Sequence, residues 1–296
     1  FVQSHIQDPV WQHQDAALHA FGFLVSTCSS EELTNSNIQL RDAIPIVIGA
    51  LQSPTANLRY TGVWVLGELS RWHMNLIPLE HRQTLVEGMV HLLTDPVGPN
   101  DTVQKAAACS IGNFASAFED SKDESTNGLS PYVQFLLANL LGIAELPGCE
   151  IVMEAYEAAT TIIGVCAVDN FGLIHHVLEE AMKRAYAKLD SQDSAENKGT
   201  MIMHICALVS MCTERLDRPS ALRMCTDKFQ GSSNCKMDDL MAGIFRILSE
   251  ANSSGAHEDA VRTILLLAER LENDFERYVE PSINLVVKGL QIPDDY

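Results

Sequence analysis

Apolar and small residues recur in helical spacing along this chain, and one such pattern repeats. HQDAALHAFG at 13–22 is matched by LRYTGVWVLG at 58–67 and VQKAAACSIG at 103–112, a period of 45 residues. Ala17, Gly62 and Ala107 share one small position, and Gly22, Gly67 and Gly112 share another. That pattern predicts close packing at the same two points of every unit. Ala155 falls in the first small position 48 residues after Ala107, and HEDAVRTILL at 257–266 echoes the opening copy. A second set of helical patterns alternates with these: 38–51, carrying Ile44, Ile46, Val47 and Leu51, then 79–93, 131–145, 171–189 and 237–251. Proline and glycine mark the turns, at Ser53-Pro54, at Pro96, Gly98 and Pro99, and at Pro147-Gly148.

Each unit therefore reads as helix A, a turn and helix B, with the small-residue motif on B. The B helices are expected near 11–28, 58–73, 103–118, 150–168, 198–216 and 257–272, the fifth with a degraded motif. A seventh A helix is expected over 278–291 despite Pro281. Segments 29–37, 119–130, 190–197 and 217–235 lack an apolar period and are expected to be polar or irregular connections, the acidic EDSKDESTNGLS at 119–130 a solvated loop. A period of ~40–47 residues built from helix pairs is the signature of HEAT or armadillo arrays. The expected fold is all-α, one α-solenoid of HEAT repeats over 1–296 with six to seven hairpins. Function is then expected on an extended surface. The uncapped opening and the end soon after a helical pattern predict a piece excised from a longer array.

Composition sharpens this. There are 39 acidic and 20 basic residues, for a net charge of −19. Phosphate binding needs a positive face, so direct nucleic-acid binding is not expected and basic partners are; solubility of a long solenoid is the plainer use of the same charge. The eight cysteines form no C-x-x-C pair or zinc-like grouping and read as reduced core residues. The richest apolar run, 133–146, is too short to span a bilayer and carries Gln134, Asn139 and Glu145, so no membrane role is expected. The expected state is a monomer.

No nucleophile elbow, Walker lysine loop, dinucleotide glycine motif or H-E-x-x-H is present, which argues against an enzyme. Asp238-Asp239 lacks the second half of a D-D-x-x-D set and reads as helix N-terminal charge. His175-His176 are adjacent and cannot chelate as an i, i+4 pair would. No metal or cofactor is expected. Trp64, Glu68 and Trp72 at i, i+4 and i+8 could line one strip of a helix. An aromatic ring with a carboxylate suits a basic peptide, by cation–π contact and ion pairing. The alternative is that both tryptophans pack between repeats. Phe21, Phe114 and Phe171 read as core.

HIQDPVWQHQDAALHAFG, NLRYTGVWVLGELSRW, VQKAAACSIGNFASAFED, EAYEAATTII and HEDAVRTILLLAERLENDFERYVEP, in that order and at similar gaps, resemble the central HEAT repeats of the importin-β (karyopherin-β) family of nuclear import receptors. The resemblance covers nearly the whole chain. It implies a concave face of B helices that holds basic cargo or the adaptor segment of importin-α, release by Ran-GTP, and docking of phenylalanine-glycine nucleoporins between A helices on the convex side. It also implies a location in cytoplasm and nucleus and at the nuclear pore. In that family tryptophans on successive B helices contact the adaptor. Trp64 stands at one such position, with Glu68 on its strip, whereas Cys109 occupies the matching place one repeat later and Arg71 lies where an acidic residue is usual. Outside the resemblance, the same pattern suits a HEAT scaffold or regulatory subunit for a folded enzyme, and less well a helical enzyme.

Overall fold

A computed structural model describes residues 2–35, 40–146, 148–228, 234–251 and 253–290. It divides into two compact units, 1–169 and 170–296. The first holds α1 (Val2–His5), α2 (Trp11–Thr27), α3 (Ser30–Asn35), α4 (Leu40–Ala50), α5 (Ala56–His73), α6 (Leu79–Leu92), α7 (Asp101–Ser116), α8 (Val133–Ile143) and α9 (Val152–Val165). The second holds α10 (Phe171–Asp190), α11 (Ala195–Arg215), α12 (Arg218–Met224), α13 (Lys236–Glu250), α14 (Ser254–Leu271) and α15 (Glu276–Leu290). No single described helix is long and apolar enough to cross a membrane.

In the first unit the B helices form a row: α2 packs on α5, α5 on α7 and α7 on α9, while α4, α6 and α8 back onto α5, α7 and α9. Two of the repeated glycines, Gly22 and Gly67, are what let this row close. A methyl on Gly22 would meet the Trp64 ring, one on Gly67 would lie 2.5 Å from Ser110 Oγ, and one on Gly112 would rest 3.8 Å from Ala158 Cβ. Each glycine thus faces the B helix of the following repeat. At Gly67 the approach is tightest to backbone, with Ser110 Cα at 3.1 Å, and Ser110 Oγ donates to Val63 O at 2.8 Å. Gly67→Ala should therefore destabilise the protein by about 1–3 kcal/mol through overpacking. Gly142→Ala, where a methyl meets nothing within 4 Å, should be neutral or gain up to about 1 kcal/mol from reduced unfolded-state entropy. Urea denaturation of the two variants side by side reads the difference.

A buried ion pair ties the turns of successive hairpins. Arg59 and Asp95 are 1 % and 0 % exposed. Arg59 Nη2 donates to Asp95 Oδ2 at 2.8 Å and to Gly98 O at 3.0 Å, and Nη1 donates to Ser53 O and Pro54 O. Nε lies 2.7 Å from Asp95 Oδ1, a charge contact that is not aligned as a hydrogen bond. Asp95 itself sits at φ +40, in the region where aspartate and asparagine are better tolerated than most residues.

In the second unit α10 packs on α11, α11 on α14, α13 on α14, and the A helices α10, α13 and α15 sit side by side. Ile205, Leu208, Ile244, Ile247, Ile264 and Leu267 form its core.

Several expectations need correction. The span 29–37 is not all polar connection: Ser30–Asn35 is helical, started by a reciprocal cap in which Ser29 N donates to Glu32 Oε2 at 2.7 Å and Glu32 N donates to Ser29 Oγ, and held by buried Leu33. The span 217–235 contains α12, capped by Asp217 with Pro219 in its first turn, and a short bridge between Lys228 and Cys235. The acidic 119–130 segment is mostly exposed, as expected of a solvated loop, yet it is anchored. Val168 N and Asp169 N donate to Glu124 O and Ser125 O, Asn127 Nδ2 donates to Val165 O, and Phe118 packs against Gly128. Pro281 is accommodated within α15, and Gln291 of the expected helix lies outside the described residues. Phe171 is half-buried, with the Arg215 guanidinium 5.2 Å from its ring, while Phe21 and Phe114 are fully buried. The cysteines form no disulfide and are not all core: Cys166, Cys206, Cys212 and Cys235 are buried and Cys109 is exposed. Burial pushes the Cys206 thiol up to about 12, with Asp259 adding to the shift.

Candidate protein-binding face

The B-helix row of the first unit places the sequence-identified residues in two adjoining groups. Trp64, half-buried on α5, packs toward α2: its ring lies over Gly22, and its centroid is 5.7 Å from that of His19. Thr61, one turn earlier, donates to Asp15 Oδ1 at 2.6 Å, so α2 and α5 are joined beside this tryptophan by a polar contact as well. Glu68 and Trp72 do share a strip, as Trp72 Nε1 donates to Glu68 Oε2 at 3.2 Å. Trp72 is 54 % exposed and therefore not an inter-repeat packing residue, whereas Trp64 is in part.

Arg71, at the exposed end of α5, carries its guanidinium 4.8 Å from the centroid of the Trp72 ring. The chain thus supplies its own cation to the aromatic face that was expected to receive a partner's. Arg71 also lines a cleft of about 310 Å³ with Cys109, Gly112 and Asn113 of α7 and Glu154, Glu157 and Thr161 of α9. The structure brings Arg71 and Cys109 together here, while Trp64 and Glu68 are not among the lining residues.

Glu154 and Glu157 are the members that the sequence reading missed. Glu154 is 9 % exposed, its Oε1 lies 3.8 Å from Lys105 Nζ, and its Oε2 accepts no hydrogen bond from any described residue. Glu157 is exposed. The available signal was their i, i+3 spacing on an otherwise apolar B helix, which sets both on one face. Their charge is felt by Cys109, whose thiol is pushed up first by desolvation and then by Glu154 and Glu157. A raised thiol holds less thiolate at mildly alkaline pH, so Cys109 should alkylate more slowly than its exposure implies. Glu157→Gln should move its rate-versus-pH profile to lower pH, read by mass spectrometry of the Cys109 peptide after timed labelling. An unmoved profile would mean the carboxylate does not reach the thiol.

A second concavity, of about 290 Å³, lies between the A helices α10 and α13 and the short α12. Leu178, Met182, Tyr186, Met224 and Leu240 form its apolar wall. Lys236 Nζ meets Glu179 Oε1 at 2.6 Å, and Tyr186 Oη donates to Asp239 O at 3.0 Å. Among the described residues no cluster of three or more His, Cys, Asp or Glu side chains could hold a metal.

The profile of the family described as importin subunit beta-1-like, TPR repeats, matches residues 85–296. The chain belongs to that family. It is 22 % identical over 300 residues to importin subunit beta-1 of Schizosaccharomyces pombe, spanning all of this chain and 33 % of that protein. It is 22 % identical over 310 residues to importin subunit beta-1 of Arabidopsis thaliana, spanning all of this chain and 34 % of that one. Among solved structures, a crystal structure of importin beta from a polyethylene glycol condition superposes with a TM-score of 0.81 at 18 % identity, over 97 % of this chain and 33 % of the other. A Kap95:Nup1 complex superposes with a TM-score of 0.81 at 18 % identity, over 99 % of this chain and 32 % of that one. This member of the importin subunit beta-1-like family thus spans about a third of the length of the relatives it matches, and its fold class is the HEAT-repeat α-solenoid.

Proposed function

We propose that this chain acts as the central segment of a nuclear transport receptor, holding a basic protein segment on the B-helix face of its first unit. The partner is a basic cargo or the adaptor segment of importin-α, released by Ran-GTP. The observation that carries this reading is the cleft on the B-helix row that Glu154 and Glu157 of α9 line, beside the half-buried Trp64 and the Glu68–Trp72 pair of α5 on the same row, in a chain of net charge −19. Aromatic rings accept the stems and charges of lysine and arginine, and the carboxylates fix their heads. The family assignment supports the reading, as does a related fold, Kap121p, crystallised bound to Pho4p.

The apolar concavity between α10 and α13 suits a single phenylalanine, and we assign it to nucleoporin phenylalanine-glycine repeats. Kap95 with Nup1 and Kap121p with Nup53p are complexes of proteins of this fold. Such a receptor works in cytoplasm and nucleus and at the pore between them, as a monomer and without enzymatic chemistry.

The test is a capture experiment with the immobilised chain, offered the importin-α adaptor segment, phenylalanine-glycine peptides and Ran-GTP separately and together. Retention of the adaptor segment at low salt, and its loss on adding Ran-GTP, is expected. A folded chain that retains no basic segment would remove the basic-partner reading; retention unaffected by Ran-GTP would remove the release step.

A further inference from the structure

We propose that the cleft between α5, α7 and α9 takes the guanidinium of a single partner arginine, with Glu154 as its buried anchor and Glu157 as the second carboxylate. This inference rests on the basic-segment reading above and narrows it to one side chain at one place.

Glu154 is the unusual group. Its side chain is 10 % exposed, and Oε2 is buried with no donor among the described residues. Lys105, its ion-pair partner, approaches Oε1 only to 3.8 Å, beyond hydrogen-bond range. A desolvated carboxylate without donors is costly, and it persists most readily where a ligand supplies them. Glu157 lines the same cleft one turn along α9. The walls stay open because they are built from Ala108, Gly112 and Ala158, and because Cys109 is a short side chain.

The choice of arginine over lysine follows from the donor geometry. A planar guanidinium presents five N–H groups in a fixed fork and spans two carboxylates, whereas an ammonium is a compact, strongly hydrated point charge that loses more on entering a narrow slot. Arg71, on the rim, is the internal competitor. It lies over Trp72 and makes no ion pair with Glu154 among the described residues, so its charge opposes the incoming cation without filling the slot.

The experiment compares an arginine-rich helical peptide with its all-lysine counterpart by fluorescence anisotropy, on the wild-type chain and on Glu154→Gln, Glu157→Gln and Arg71→Ala. Glu154→Gln is isosteric, and its melting curve checks folding. In parallel, the carboxyl carbon resonance of Glu154 in the wild-type chain is followed by NMR on adding N-acetylarginine amide, which needs no variant and no peptide. We expect about a tenfold preference for the arginine peptide. Glu154→Gln should abolish that preference, Glu157→Gln should reduce it, and Arg71→Ala should tighten binding. The Glu154 resonance should shift saturably. Basic peptides that bind with no arginine preference, indifferent to Glu154→Gln and with an unmoved Glu154 resonance, would overturn the slot and leave the basic-segment reading standing. Peptides that do not bind, with a saturable Glu154 shift, would leave the slot and remove that reading. Absence of both would remove both.

Discussion

Asp95→Ala should destabilise the first unit by about 3–5 kcal/mol, the range expected when one partner of a buried ion pair is removed and the other charge is left behind. The orphaned group would be Arg59, 1 % exposed and buried under the turns of two hairpins. Its donors to Ser53 O, Pro54 O and Gly98 O would remain, but its counter-charge would be gone. Asp95→Asn separates charge from conformation, because asparagine tolerates the φ of +40 and keeps one acceptor. It should cost less than alanine while still costing more than 1 kcal/mol. Arg59→Met with Asp95→Asn should recover stability relative to Asp95→Ala, because no charge is then left buried without a partner. Hydrogen exchange localises the loss: amides of α5 and α7 should lose protection first. A change below about 1 kcal/mol for Asp95→Ala would show that hairpin order does not depend on this pair.

Trp64→Ala should weaken a basic partner by about 2 kcal/mol or more, roughly thirtyfold, with helix content unchanged. The ring is half-buried against Gly22 and His19, so the substitution also opens a gap between α2 and α5. Truncating a fully buried tryptophan costs about 3–5 kcal/mol, and a half-exposed ring roughly half of that. Affinity should therefore be compared well below the variant's melting temperature. Trp64→Phe is the useful companion: it retains contact with Gly22 and a weaker cation-binding face, so stability should return further than affinity. Lost stability with unchanged affinity would make Trp64 an inter-repeat spacer only.

These expectations show where the chain was legible. Gly22, Gly67 and Gly112 announced the row of B helices by recurring every 45 residues; at Gly22 and Gly67 the next repeat lies closer than a side chain allows, while at Gly112 a methyl would make ordinary contact with Ala158. Periodicity could not show α3 or α12. Ser30–Asn35 is almost wholly polar and is held by a cap and one leucine, and Arg218–Met224 is too short for a helical period to stand out. The acidic 119–130 segment is largely exposed, as its composition implied, but its anchoring did not show, because it runs through backbone groups of 124 and 125 and the Asn127 amide, which no apolar period reports.

The site divides the same way. Glu68 and Trp72 were readable as an i, i+4 pair on one helix. The cleft was not, because Arg71, Cys109 and Glu154 are separated by 38 and 45 residues and meet only through the stacking of three repeats. Arg71 and Cys109 stood out as departures from a family pattern. Glu154 had no such flag, and its meaning comes from burial alone.

The central claim is that the B-helix face of the first unit holds a positively charged protein segment. The most direct measurement is the affinity of the 296-residue chain for a lysine- and arginine-rich helical peptide as salt is raised. Measurable binding at low salt that falls steeply with ionic strength is expected of charge-assisted contacts. A folded chain that binds no such peptide at low salt, or binds it with no dependence on salt, would contradict it.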